Sequence, residues 1–384
     1  MARSTANPPA DASSNGRHGG SDSDRPAPPV ANGGSAVANG VEKSGKRVGI
    51  RDVAKLAEVS VATVSMVLNH NPKITSATRE KVRRVMEDTG YQPNRIAQSL
   101  SSKYTRMLAV ILPTVRHVLA DPYFGELISG ICDRAERRGH KVVLEHAKPD
   151  WVRDQRHLEL FDRRFVDGVL CIGFNDHHGF LEDFRSHGCP MLAVNSEFPQ
   201  WGVDHVVSDY AGGADQVMTY LFQLGHEKIG MVHGAFEIAT ARVVCEVFGR
   251  RVDEAGLGLD NTWLEDGLFT EIGGAEAAER LLARHPDITA IFAGNDKMAL
   301  GVMHQLSVMG KRVPDDISVV GYDDLQHAAF VNPALSTVHV PLYEVGVRSA
   351  DRLIELIRKR TDAVSEVLPT HLKLRGSTAI APRN

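Results

Sequence analysis

The sequence predicts an α/β body of two Rossmann-like lobes, with a small all-α helix-turn-helix unit ahead of it. Three observations carry this. Apolar runs alternate with amphipathic helical stretches from Met107 onward, two short helical patterns flank a tight break near Ser60, and a basic segment precedes an acidic body. At 384 residues the chain is too long for one compact core, so two or three folding units are expected. A hydrophobic content of 42% with 24% charged residues fits an ordinary globular composition.

The alternation begins with Met107–Leu112 (MLAVIL), a strand-length apolar run, followed by a helical pattern over Phe124–Arg138. Lys141–Glu145, Val169–Ile172 and Met191–Val194 read as further strands, and the rhythm returns with Ile229–His233, Ala290–Ala293 and Ser318–Gly321. Strands that are apolar throughout imply parallel sheets covered on both faces. Open sheets of this kind bind ligands outside the carboxyl ends of their strands. Asp323, which follows the VVGY strand, lies at such an end, and position alone leaves a turn or cap aspartate open. Asp296 opens a helix, where capping is at least as good a reading.

The segment Ile50–Asn69 reads IRDVAKLAEVSVATVSMVLN. Val53, Ala54, Leu56 and Ala57 share one helical face. Ser60 is a fitting cap for a second helix, with Val64, Val67 and Leu68 facing inward. Two short helices joined by a tight turn form a helix-turn-helix, whose second helix can enter the major groove of DNA. A third helix is capped by Thr75, carries Val82, Val85 and Met86 as its apolar stripe, and stops at Gly90 before Tyr91-Gln92-Pro93. Asn94–Leu100 then forms a short amphipathic stretch, too short to hold as a helix alone. It suits a wedge that folds on docking into a minor groove, but taken alone it reads better as an ordinary linker.

Charge is distributed to match. From Lys43 to Arg106 there are 13 basic and 5 acidic residues, a balance of +8, and residues 1–42 carry 3 basic and 4 acidic, or −1. Against the formal net charge of −4, residues 107–384 therefore carry −11. A basic module on an acidic body suits one segment that meets a polyanion, and charge alone leaves a merely basic helical domain equally open.

Other classes find less support. Residues 1–46, built from Ser, Gly, Asn, Ala, Pro and Asp, cannot bury enough surface to fold and are expected to be a disordered tail, not a signal peptide. No apolar run is long enough to span a membrane, so no membrane partner is expected and the cytoplasm is the expected location. Cys132, Cys171, Cys189 and Cys245 lie far apart, which suits buried thiols in a reducing compartment. His177-His178 matches no metal spacing, so neither a metal nor a cofactor is expected. No Ser/His/Asp elbow, phosphate-cradling loop or catalytic carboxylate pair is present, and Gly212-Gly213 and Gly273-Gly274 begin helices without a dinucleotide fingerprint.

DVAKLAEVSVATVSMVLN, TREKV and GYQPNRIAQSL are followed downstream by GHEKIGMV, FAGNDKMALGV, VPDDISVVGYDD, PALSTVHVP and LKLRGSTA. By these motifs and their order the chain resembles the LacI/GalR repressor family across roughly residues 48–380. The resemblance implies a helix-turn-helix domain over 47–93, a hinge over 94–106, and a periplasmic-binding-protein-like sensor over 107–384. It divides the sensor into one lobe of about 107–208 and 337–367 and a second of about 209–336 and 368–384. It implies that Ser60, Thr63, Ser65 and Asn69 bond phosphates, that Tyr91 and Asn94 hold the backbone near the hinge, and that Val61, Ala62 and Met66 face base edges. Leu100 matches the family's intercalating leucine, with Ala97 close to the groove floor. Effector contacts are implied for Tyr123, Phe124, Asn195, Phe269, Asn295 and Asp323, with Phe269 equally readable as core.

Three departures stand out. Met66 replaces an arginine common in relatives, so an apolar contact is expected where Arg would bond guanine. Glu58 stands where many relatives have glycine in the turn. The family's clamp arginine is matched only by Arg242, one helical step early, with Val244 at the clamp position, and the longer loop Pro113–Phe124 makes Arg116 and His117 candidates to reach the pocket.

The reading is therefore a regulator that binds near-palindromic operator DNA as a homodimer, with a tetramer left open, and represses by family habit. Its operator affinity would answer to a small-molecule effector, a sugar or related polar metabolite. Two alternatives are a regulator controlled by a protein partner and a sugar-binding transport protein; the second leaves residues 48–106 unexplained. Leu100→Ala should weaken specific operator binding by up to a few kcal/mol and spare the salt-dependent nonspecific mode. Titration of operator and scrambled DNA at two salt concentrations checks this, and equal loss in both modes would mark Leu100 as packing.

Overall fold

A computed structural model describes residues 48–68, 71–91, 104–115, 118–162, 165–174, 178–198, 201–358 and 364–382. The chain divides into two compact units at Gln92/Pro93, one residue before the boundary the resemblance implies.

The first unit is three helices: α1 (Ile50–Leu56), α2 (Val61–Leu68) and α3 (Ser76–Thr89). Their shared core is Val53, Ala54, Ala57, Val64, Val67 and Val82. Leu56, expected on the buried face of α1, is 58% exposed instead; Val53, Ala54 and Ala57 fill the contact, and the position beside Ala57 points past it. The caps fall where the side chains can make them. Thr63 N–H donates to Ser60 Oγ at 3.0 Å, Thr78 N–H donates to Thr75 Oγ1 at 3.3 Å, and Gly90 ends α3 in the left-handed region at φ 61°. Glu58 occupies the turn at φ 49°, a conformation that favours glycine, and its carboxylate meets Lys81 at 2.7 Å. Lys81 holds the Glu58 carboxyl below its usual range through a hydrogen bond and its charge. The turn thus holds a side chain where glycine would be unstrained, with that side chain directed to a cation on α3.

The second unit carries two six-stranded sheets. In chain order the first lobe has β1 (Met107–Leu112), α4 (Pro122–Arg137), β2 (Lys141–His146), α5 (Pro149–Arg153) and α6 (Arg156–Asp162). It continues with β3 (Gly168–Ile172), α7 (Phe180–Ser186), β4 (Met191–Val194) and β5 (Asp204–Ser208). The second lobe follows with α8 (Tyr210–Gln223), β6 (Ile229–His233), α9 (Ala239–Glu254), β7 (Leu264–Asp266) and α10 (Glu271–Arg284). Next come β8 (Ala290–Ala293), α11 (Asp296–Val308), β9 (Ser318–Asp323) and β10 (Ser336–His339). The chain then returns through α12 (Leu342–Arg358), β11 (Ser365–Leu368) and β12 (His371–Lys373).

The sheet orders are β2-β1-β3-β4-β5-β11 and β7-β6-β8-β9-β10-β12, all parallel except the β10–β12 pair. The central strands β3, β4, β6, β8 and β9 are buried along their whole length, as strands covered by helices on both faces must be. Each order reverses beside its first strand, at β1/β3 and at β6/β8. Those reversals open a crevice at the carboxyl ends of the strands.

The chain crosses between lobes after Ser208, at Val340–Pro341 and between Leu368 and His371. Thr337–His339 belongs to the second lobe, paired with β9 and β12, and not to the first as expected from the sequence; Leu368 pairs with Ser208 in the first. The PALSTVHVP segment finishes its strand before it crosses. Two crossings are tied together: Asp209 N–H donates to Leu368 O at 2.9 Å, and Thr370 Oγ1 donates to Asp209 O at 2.8 Å.

Each lobe has one helix pair in backbone contact. A Cβ at Gly130 of α4 would overlap the Tyr343 carbonyl, and one at Gly346 of α12 the Leu127 carbonyl. In the second lobe the same holds for Gly274 against Met298 O and Gly301 against Glu271 O. Gly346→Ala should therefore destabilise the sensor by about 1–3 kcal/mol through overpacking. Gly249→Ala, in α9 with open space at its Cβ, should stabilise by up to about 1 kcal/mol through helix propensity. Urea unfolding followed by circular dichroism separates the two, and equal effects would show that the glycine contact is not tight.

Candidate functional site

The crevice between the lobes holds two connected chambers. The inner one is about 60 Å³ and the outer about 390 Å³. Pro113, Val115, Ile238 and Phe269 line both and form the neck between them. The inner wall comes from strand ends: Pro113 after β1, Ile172 and Gly173 at β3, Phe269 after β7, Gly294 and Asn295 after β8, and Asp323 closing β9. Backbone strain gathers at the same rim. Asn195, Leu268, Phe269, Asp323 and Asp324 all have positive φ, with Asp323 at 101°, conformations that persist only where the surroundings hold them.

Asp323 is 6% exposed, lines the inner chamber, and its carboxylate has no hydrogen bond among the described residues. Burial, with the nearby Asp296 and Asp121 carboxylates, pushes its pKa well up. Its neighbours are all engaged. Asp296, 1% exposed, accepts from Leu325 N–H at 2.6 Å and from the Thr337 hydroxyl, and burial raises its pKa to about 7. Burial works against ionisation at Asp324 as well. Hydrogen bonds from Lys373, Arg375 and His339 outweigh it and hold that carboxyl below its usual range.

From the first lobe, Asp121 caps α4 by accepting from Tyr123 N–H at 3.0 Å. Its other oxygen meets Lys297 Nζ of α11 at 2.9 Å, an ion pair across the crevice with both side chains largely buried. Tyr123 Oη accepts from Asn195 Nδ2 at 2.7 Å and from the Tyr210 hydroxyl at 3.2 Å. Burial pushes both phenols' pKa values up, so they stay protonated. Phe124 stands edge-on to Tyr123 at 5.1 Å between ring centroids.

Of the sequence-derived effector residues, Tyr123, Phe124, Phe269, Asn295 and Asp323 come together around the inner chamber. Asn295 has a second task, accepting from Met298 N–H at 2.8 Å to cap α11, so capping falls to Asn295 and not to Asp296. Asn195 does not line the chamber. It is 2% exposed, bonded to Tyr123 and to Ser208 N–H at 2.9 Å, and it positions the Tyr123 ring from behind. Arg242 does not line either chamber, and its side chain makes no hydrogen bond or ion pair among the described residues. Val244 is buried in the second lobe's core, so the α9 register turns neither into the chambers; Ile238 and Thr240 line the inner one instead. Sequence reasoning missed Asp121, Tyr210, Thr240 and Lys297. Only Asp121 carried a signal, the Asp-Pro pair of a helix start. Arg116 and His117 lie outside the described residues.

On the helix-turn-helix, Ser60, Val61, Ala62 and Met66 are exposed, while Thr63 and Ser65 are partly so. The Ser60 and Thr63 hydroxyls bond each other at 2.9 Å at the amino end of α2, where free N–H groups and the helix dipole favour a phosphate. Val64 and Val67 take the opposite, buried side. Tyr91 packs on the helical core, which pushes its pKa up. Asn69, Asn94, Ala97 and Leu100 lie outside the described residues. Among the described residues there is no group of three or more His, Cys, Asp or Glu fit to hold a metal, and no helix long and apolar enough to cross a membrane.

Comparison with known proteins agrees with both units. Residues 49–94 match bacterial regulatory proteins of the lacI family, and residues 218–378 match a periplasmic binding protein-like domain. Catabolite control protein A of Priestia megaterium is 32% identical over 334 residues, 86% of this chain and 99% of that protein. A crystal structure of the lac repressor dimer bound to operator and the anti-inducer ONPF superposes with a TM-score of 0.77 at 27% identity, covering 87% of this chain and all of the other. A complex of the transcriptional regulator CelR with cellobiose gives 0.67 at 30% identity, covering 86% of this chain and all of the other. With an exposed recognition face on a capped second helix and a cleft at the strand ends of two doubly wound lobes, the chain belongs to the lacI family of bacterial regulatory proteins.

Proposed function

We propose that this DNA-binding transcription regulator represses its target genes as a homodimer. In this reading a small polar metabolite, bound in the two-chamber cleft, sets its operator affinity. The observation that carries the effector role is Asp323, a buried carboxylate with no hydrogen-bond partner among the described residues, in the lining of a cleft formed by both lobes. A buried polar group without a partner is costly unless a ligand completes it. The cellobiose held by CelR and the anti-inducer held by the lac repressor are the analogies that support this.

The mechanism rests on differential binding. A ligand in the cleft touches both lobes, so it favours the lobe arrangement in which its contacts are best, and it shifts the protein by no more than that difference. The Asp121–Lys297 pair acts on the same coordinate because it also spans the lobes. Two-fold symmetry would present two helix-turn-helix units to the half-sites of a near-palindrome, with Ser60, Thr63 and Ser65 on phosphates and Val61, Ala62 and Met66 toward bases. The hinge residues Asn94, Ala97 and Leu100 would couple lobe arrangement to grip.

Operator titration against a panel of sugars, sugar phosphates, polyols, nucleosides and amines tests the effector role. At least one compound is expected to change operator affinity about 5–150-fold. No change across the panel would favour control by a protein partner. Selection of binding sites from random DNA tests the reading face. The base pair under Met66 should show no invariant guanine, and Met66→Arg should create a guanine preference of about 1–3 kcal/mol.

A further inference from the structure

The polar inventory of the inner chamber narrows the chemistry of the effector, and this step rests on the effector reading above. Six described lining residues carry polar side-chain atoms: Asp121, Tyr123, Tyr210, Thr240, Asn295 and Asp323. Four are engaged already. Asp121 holds Tyr123 N–H and Lys297, Tyr210 donates to Tyr123, Tyr123 also accepts from Asn195, and the Asn295 oxygen accepts from Met298 N–H. What is left for a ligand is the Thr240 hydroxyl, the Asn295 amide N–H groups, the Tyr123 proton and the Asp323 carboxylate.

That set is sparse for a polyol, whose every buried hydroxyl needs partners. It suits an anion poorly as well. Among the described lining residues none is Lys or Arg, and the cation nearest in effect, Lys297, is bonded to Asp121, so a phosphate or carboxylate would meet Asp323 with no direct counter-charge from the described lining. The same chamber is lined by the rings of Tyr123, Phe124, Tyr210 and Phe269. Aromatic side chains lining a chamber that holds a buried, unpaired carboxylate favour a cation, which ring quadrupoles attract and which neutralises the acid.

We propose that the effector presents a protonated amine to the inner chamber, seated against Asp323 among these four rings. The ammonium takes the hydrogen bonds that Asp323 lacks, and the remainder of the ligand extends through the neck at Pro113, Val115, Ile238 and Phe269 into the outer chamber.

The test uses the full-length protein and two sets of probes matched in skeleton. One set is benzylamine, benzyl alcohol and benzoate; the other is glucosamine, glucose and gluconate. Binding is read by calorimetry and by thermal shift at neutral pH. Within at least one set the amine should bind at least about tenfold more tightly than its neutral and anionic partners, and Asp323→Asn should abolish that preference. Circular dichroism reports whether the variant folds; if it does not, the rank order in the unaltered protein decides. A neutral or anionic probe binding as well as its amine, a preference that survives in Asp323→Asn, or no binding by any of the six at about 10 mM, a concentration that would detect even weak sites, overturns the proposal. An uncharged metabolite that shifts operator affinity would overturn it too, and would leave effector control standing.

Discussion

The buried carboxylate of Asp296 sits where three segments of the second lobe meet. It starts α11, accepts the Leu325 N–H from the loop after β9, and accepts the Thr337 hydroxyl from β10. Gly321 of β9 leaves it room, since a Cβ there would overlap the Asp296 oxygen. Because the group is 1% exposed, breaking either bond would strand a polar group in a low-dielectric interior. The cleft depends on this node. It fixes the end of β9, and with Asp324 tied to Lys373, Arg375 and His339 on the other side, Asp323 is left in its strained backbone conformation in the lining of the inner chamber.

A contrast follows among the four acidic residues at this rim. Asp296 and Asp324 are structural, each satisfied by protein donors, and Asp121 is matched by a lysine from the opposite lobe. Asp323 alone among them is left unmatched, although all four are largely buried. Burial does not set Asp323 apart; the missing partner among the described residues does. The same logic separates Asn195 from Asn295. Both lie at strand ends, but Asn195 spends both ends of its amide within the protein, whereas Asn295 keeps its donors toward the chamber.

Much of this was legible in the sequence. Fully apolar strand runs marked β1, β3, β4, β6 and β8 to within a residue, because strands buried on both faces admit little else. Ser60, Thr75 and Gly90 announced the helix ends through cap chemistry. The short strands β5, β7, β10, β11 and β12 carry no such signature. They lie away from the sheet centres or next to a crossing, and their pattern depends on partners distant in the chain, which is why β10 was assigned to the wrong lobe. Site residues at strand ends could be placed by rule, but those on α9 could not. A shift of one helical position exchanges a wall for a core, so Arg242 and Val244 misled while Thr240 went unseen. Lys297 was invisible because its partner, Asp121, belongs to the other lobe.

The glycine-mediated helix pairs have a mechanical consequence. Where α4 meets α12, and α10 meets α11, backbone rests on backbone with no intervening layer of side chains that could be reshuffled. Each seam therefore resists repacking, and the lobes join through three short crossings, two of which are bonded to one another at Asp209, Leu368 and Thr370. Turning one lobe against the other at those crossings disturbs neither seam, whereas a substitution that adds a side chain to either seam would push its two helices apart.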